Sequence, residues 1–282
     1  WRLPTQPVPG VVVTLSGDVS EMQTTGVPGT YLFSDIPNNS DVTLAASKET
    51  AGAAGISSAD LLFIVNHIFG TQLLSPYQWV AADVNGDANI SLNDYLRIQR
   101  VVLATDQHIL GSPDWKFVPK AYVFPSPNPL SAPVPQSIVH NPADMDFLDD
   151  DFVAVRMGDV NGNITPMLTN DQSEERFGGE VFRFRLDDSA FKAGEIVSVP
   201  FKASDFNQRL AYQMTIDFDP NVFVLEDIAP GVLPLTDDNF GTNYLSDGHL
   251  TTLWVSRESM TISDDEVLFT LRFRALRNGT IA

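Results

Sequence analysis

The run Asp83-Val84-Asn85-Gly86-Asp87-Ala88-Asn89-Ile90-Ser91-Leu92-Asn93-Asp94 carries oxygen-bearing residues at its first, third, fifth, seventh, ninth and twelfth places. A twelve-residue loop with that spacing wraps a hard cation, which takes about six to eight oxygens, and its apolar eighth place, here Ile90, anchors it to a core. The predicted ion is Ca2+. Asp83, Asp87 and Asp94 offset its charge, Asn85 and Ser91 add neutral oxygens, and Asn89 offers its backbone carbonyl. The competing reading is an Asx-rich turn that caps a helix starting near Ser91. One departure matters. The sixth place, where the backbone turns sharply and glycine is usual, is Ala88. A side chain at positive φ costs roughly 1 kcal/mol, which lowers affinity without abolishing it.

The loop opens a helical pattern. Leu92, Tyr95, Leu96, Ile98, Val102 and Leu103 follow 3–4 spacing, as do Ile56, Leu61, Leu62, Val65, Ile68 and Phe69 before the stop at Gly70. The two stretches are one repeat at an offset of 34, since Ile56, Ser57, Asp60, Leu62 and Ile64 recur as Ile90, Ser91, Asp94, Leu96 and Ile98. Only the back half of a metal loop is present in the first copy. Its front half would fall on Glu49, Ala51 and Ala53, which lack the ligands. A front half recurs elsewhere, as Asp159-Val160-Asn161-Gly162-Asn163, at an offset of 76 and with no helix after it. If the halves meet, Asp159, Asn161 and Asn163 with Asp60 and Ser57 make a second, split Ca2+ site. The alternative is a lone Asx turn beside a metal-free first repeat.

At 282 residues and 43% hydrophobic, the chain suggests two or three domains. From Val8 to Lys48 it reads as strands only: Val11, Val13 and Leu15 alternate, and Tyr31-Leu32-Phe33 and Val42-Thr43-Leu44 repeat the pattern between Gly and Pro turns. Eight prolines between Gly111 and Pro142 are interleaved with Trp115, Phe117, Tyr122 and Phe124. That density forbids helix and interior strand, and predicts an extended wrap whose rings pack on the helical pair. Residues 180–282 hold six apolar runs broken by turn residues, which predicts a sandwich or jelly roll. The expected divisions are 1–50, 51–166, a hinge at 167–179, and 180–282. The fold class is multidomain and mainly β, with one small α calcium-loop domain.

The loop-plus-helix unit, duplicated, resembles the dockerin domain, whose calcium loops end in Asp. Gly10–Lys48 resembles a carboxypeptidase-regulatory-like or Cna-B-type β domain. With Tyr122-Val123-Phe124-Pro125 and Gly158-Asp159-Val160-Asn161-Gly162 following, the order resembles large secreted surface proteins of Bacteroidota, a lineage that often uses type IX secretion. Tyr212–Pro220 and Leu268–Phe273 are similar to a cohesin domain, a nine-stranded jelly roll whose last strands would lie beyond Ala282. These resemblances imply an extracellular, non-catalytic scaffold or adhesion segment stiffened by calcium. Its partners would be proteins, with a second copy of the chain among the candidates. The alternative is an attachment or carbohydrate-binding module of a polysaccharide-degrading system whose catalytic domain lies elsewhere; a glycan partner belongs to that reading.

A net charge of −19 opposes phosphate backbones, so nucleic acid is not an expected partner. Zero cysteine excludes disulfides and thiol catalysis. No apolar stretch approaches the roughly 20 residues of a membrane helix, so no membrane insertion is expected. The start at Trp1, without an initiator methionine, suggests a piece of something longer. No nucleophile elbow, phosphate loop or His-Glu-x-x-His occurs, and no enzyme activity is expected. The acidic run Asp144 to Asp151 reads as a solvated loop, and His67 as a packed or surface side chain. Asp188-Ser189-Ala190 resembles a short O-glycosylation motif of Bacteroidota, with Ser189 the acceptor.

Overall fold

The computed structural model describes residues 6–165 and 182–281; the expected hinge at 167–179 lies outside them. The described residues form two compact units, one within Trp1–Val101 and Asp106–Glu174, the other within Val102–Thr105 and Glu175–Ala282.

The first unit begins with β1 (Val12–Gly17), β2 (Glu21–Thr24) and β3 (Ser40–Ser47). Three helices follow: α1 (Ser58–Ile68), α2 (Pro76–Ala82) and α3 (Leu92–Val102). It closes with β4 (Trp115–Pro119), β5 (Ser137–Ala143) and β6 (Phe152–Arg156). An antiparallel sheet runs β2-β1-β3-β5. Its alternating Val13, Leu15, Val42 and Leu44 are buried against Trp115, Phe117 and Ala154 of the β4–β6 ribbon. The second layer of the small sandwich is thus built from chain beyond residue 114.

Two expectations change here. Tyr31-Leu32-Phe33 is not a strand. The Gln23 side chain brackets Leu32 instead: its amide nitrogen donates to the Leu32 carbonyl, and its Oε1 accepts the Leu32 N–H at 3.0 Å. The backbone groups a ladder would use are thereby satisfied. The proline-rich segment also does more than wrap the helices. Its rings divide, Trp115 and Phe117 entering the sandwich core while Tyr122 and Phe124 pack with Tyr77, Val80 and Ala81 of α2. Helix α2 escapes a periodicity reading because it has only seven residues; Pro76 at its start and the reciprocal Ser75–Gln78 cap define it. Strands do form among the prolines, but β5 with its Pro142 lies at the sheet edge, where a missing N–H is tolerated.

The second unit is a β-sandwich. One sheet runs β11 (Phe223–Pro230), β14 (Phe269–Ala275), β9 (Ile196–Ser204) and β7 (Arg183–Arg185). The other joins β10 (Arg209–Asp217), β13 (His249–Met260) and β12 (Phe240–Gly241), and β8 (Ser189–Phe191) pairs with β15 (Gly279–Ile281). All six expected runs are strands; β8, β12 and β15 are too short to carry an alternation signal. Phe201, Phe269, Leu271, Tyr212 and Trp254 meet in one core, with Phe201 stacked on Phe269 at 4.7 Å between centroids. Truncating this core ring leaves a cavity, so Phe269→Ala should cost about 3–5 kcal/mol in denaturant unfolding of this unit; a loss under 1 kcal/mol would contradict the packing.

Candidate metal centre

Asp83 sits at the C-terminal end of α2 and Asp94 in the first turn of α3, so the two helices hold the ends of the 83–94 loop. Buried Val84 and Ile90 pin it from below. Asp83 Oδ1 accepts the N–H groups of Gly86 (2.9 Å) and Asp87 (3.1 Å), and its Oδ2 that of Ala88 (3.2 Å). Asp94 Oδ1 accepts from the Val84 and Asn85 backbones at 3.1 and 3.2 Å. Its Oδ2 accepts from Ser91 N–H and Oγ, both at 3.0 Å. Ala88 takes φ 63°, the left-handed conformation that the sixth place requires, so its methyl group is carried at a strained position.

The donor set divides by exposure. Asp83 and Asp94 are buried at 5% and 0% exposure. Asp87 and Asn89 are exposed; Asn85 Nδ2 donates to Asp87 Oδ2 at 2.9 Å, and Asp87 Oδ1 accepts the Asn89 N–H at 2.9 Å. Ser91 is committed to capping α3, since its Oγ also accepts the Asn93 N–H at 3.2 Å. Among the described residues, no three histidine or acidic side chains converge on one point. Burial raises the Asp83 carboxyl above its ordinary range, opposed by the Lys116 ammonium, which burial in turn pushes down. Buried carboxylates and neutral oxygens, with no sulfur or imidazole, suit a hard divalent cation, and Asp83 with Asp94 would be its charged ligands.

A second locus repeats the first. Asp60, in the first turn of α1, and Asp159, just past β6, are both 0% exposed. Asp60 Oδ1 accepts the Asn161 N–H at 2.9 Å across 101 positions. Asp60 Oδ2 accepts from Ser57 N–H (2.8 Å) and Oγ (3.2 Å), and Ser57 Oγ accepts the Ala59 N–H as the α1 cap. Asp159 accepts the Asn163 N–H on Oδ1 (3.0 Å) and the Ile164 N–H on Oδ2 (3.1 Å). Each of these has its counterpart in the 83–94 loop at the matching place. Both polar atoms of the Asn161 side chain are buried with no hydrogen-bond partner. Burial, and then the charge of Asp159, holds the Asp60 carboxyl well above the usual carboxylate range. Burial moves Asp159 up to about 6, against the pull of its backbone N–H donors.

The stretch where the first repeat would carry front-half ligands, at Glu49, Ala51 and Ala53, has a different task together with its neighbours. The Arg156 guanidinium, 1% exposed, donates to the carbonyls of Gly52 (2.9 Å), Ala54 (3.3 Å) and Asp114 (2.9 Å), and lies 3.3 Å from the Asp114 carboxylate. The Thr50 N–H donates to that carboxylate at 2.8 Å. Arg156 thus fixes the end of β6 three residues before Asp159. At Gly55, φ is +74° and an added Cβ would lie 2.6 Å from the Ile164 Cβ. Neither Arg156, Asp114 nor Gly55 stands out in the sequence, because their partners are far away in the chain.

The remaining candidates behave as ordinary surface or packing groups. His67 Nδ1 accepts the Leu74 N–H at 3.2 Å and its ring meets Trp79 edge-on. In the acidic run, Asp150 pairs with His140 (2.6 Å) and Asp151 with Lys120 (2.7 Å). Ser189 is exposed on the short β8 strand, paired with Ile281.

The family model of the dockerin type I domain matches residues 54–103, and that of the cohesin domain matches residues 184–281. No curated protein matches the chain. A solved structure of the third cohesin of ScaC in complex with the ScaB dockerin, from Acetivibrio cellulolyticus, is 25% identical. The match covers 30% of this chain and 62% of that one, less than two thirds of its length, with a TM-score of 0.23.

Two measurements follow from this geometry. Removing one partner of a buried ion pair strands the other, so Arg156→Ala should lose about 3–5 kcal/mol in chemical denaturation, against under 1 kcal/mol for a surface arginine. In metal-free protein, Asp60 and Asp159 hold protons more tightly folded than unfolded. The folded state therefore binds extra protons between the ordinary carboxylate range and about 6, and stability falls as pH rises through that window. The melting temperature in chelator should drop between pH 4.5 and 7, by less in Asp159→Asn; equal slopes in both proteins would contradict the assignment. A region that matches the dockerin type I model and a β-sandwich that matches the cohesin model thus lie in one chain.

Proposed function

We propose that this chain is a segment of an extracellular scaffold, in which Ca2+ held by the 83–94 loop fixes residues 51–166 and each module takes a protein partner. The co-occurrence of a dockerin region and a cohesin sandwich carries this reading, because the two are complementary kinds of interaction module. The α3 surface supports it. Leu92 and Leu96, one helical turn apart, are exposed at 62% and 44%, an apolar strip suited to contact with a protein. A dockerin face meeting the cohesin face of a second copy would be a heterologous contact, which extends into fibres unless it closes.

Light scattering of the full chain, with and without Ca2+, tests self-association, and separate cohesin and dockerin modules test the two faces individually. Calcium-dependent binding on the dockerin side is expected. Absence of binding to any cohesin, any dockerin and a second copy would overturn the proposal. The second reading, an attachment module of a polysaccharide-degrading assembly, draws on the same pair of modules and predicts binding to an enzyme-borne partner or to polysaccharide. The insertion of α1–α3 between sheet strands of its own unit favours the scaffold.

Calcium that binds only the folded state adds stability by mass action, about 2.7 kcal/mol at a hundredfold excess over Kd. Millimolar Ca2+ should therefore raise the melting temperature of the chain and slow proteolysis within residues 50–165. A chelator that changes neither would remove the metal from the proposal.

A further inference from the structure

We propose that Asp60, Asp159 and Asn161, with Asn163 and the α1 cap, form a second Ca2+ site assembled from two segments about a hundred residues apart. It goes beyond the protein-binding reading and stands whether or not the modules find partners. Two observations carry it. The first is the correspondence of six hydrogen bonds: Asp159 with the fifth- and sixth-place N–H groups, Asp60 with the third-place N–H, both Ser57 donors, and the eleventh-place N–H on Ser57 Oγ. The 83–94 loop makes the same six through Asp83, Asp94 and Ser91. Val160 and Gly162 match Val84 and Gly86, both valines buried and both glycines at positive φ.

The second observation is the Asn161 amide. Its oxygen and nitrogen are both buried without a partner, in the residue whose backbone N–H binds Asp60. A buried amide left unpaired is destabilising. As the third-place residue of a metal loop, its oxygen has a ligand to meet. Two wholly buried carboxylates sit beside it, and a divalent cation between them would offset their charge. The splice between segments is close: Ile164 lies against Gly55, so the sixth place of the loop passes directly alongside the residue that leads into Ile56, the equivalent of Ile90.

Calcium alone is the probe, counted by native mass spectrometry and titration calorimetry on the full chain. Wild type should hold two ions, Asp159→Asn and Asp60→Asn one each, Asp94→Asn one, and Asp94→Asn with Asp159→Asn none. One ion in wild type, or unchanged stoichiometry in Asp159→Asn, would overturn the split site. The Asp94→Asn count reads the contiguous loop separately, so failure of either site is distinguishable from failure of the other. Asn161→Leu covers the case of variants that do not fold, because it leaves both carboxylates in place. It should weaken the second ion at least tenfold and lower the melting temperature in Ca2+. If it instead keeps two ions and raises the melting temperature, the amide is only an unpaired group and the site is refuted.

Discussion

Burying a carboxylate is costly unless its charge is met, and among the described residues the first unit buries five: Asp60, Asp83, Asp94, Asp114 and Asp159. How each is compensated determines how this unit is put together. Asp114 has a guanidinium, and the Arg156 that supplies it also ties down the carbonyls of residues 52 and 54. The other four rest chiefly on backbone N–H donors at helix starts and tight turns, where local geometry presents several at once. Neutral donors orient a carboxylate but do not cancel its charge. The placement of these four carboxylates, and not apolar packing alone, therefore decides which segments of this unit must meet.

Much of this was legible in the sequence where the signal is local. The 83–94 loop, the ends of α1 and α3, and strands β7, β9, β10, β11, β13 and β14 of the second unit all follow from spacing within a dozen residues. Even the strained Ala88 could be anticipated, because its place in the loop fixes its backbone conformation. The meeting of Asp60 with Asp159 was legible only through repetition, by noticing two half-motifs that each lacked what the other had.

The rest depends on contacts the sequence does not announce. Gln23 replaces a ladder at Leu32 by side-chain hydrogen bonds, which no alternation of hydrophobicity can signal. Arg156 reads as an isolated charge after an apolar strand until its three carbonyl partners are in view. The aromatic residues among the prolines were visible as buried rings, but their destinations, a sheet core for two and α2 for two, depend on tertiary placement.

The 101-position separation between Asp60 and Asn161 bears on how the first unit folds. Helix α1 and its cap are local in sequence, yet the mate of its buried carboxylate is synthesised only after α2, α3 and the β4–β6 ribbon. Closing so long a segment has an entropic cost that must be met before its contacts repay it, and non-local topology of this kind slows folding. During chain synthesis the Asp60–Asn161 hydrogen bond therefore cannot form until the 101 positions that separate its partners have been made.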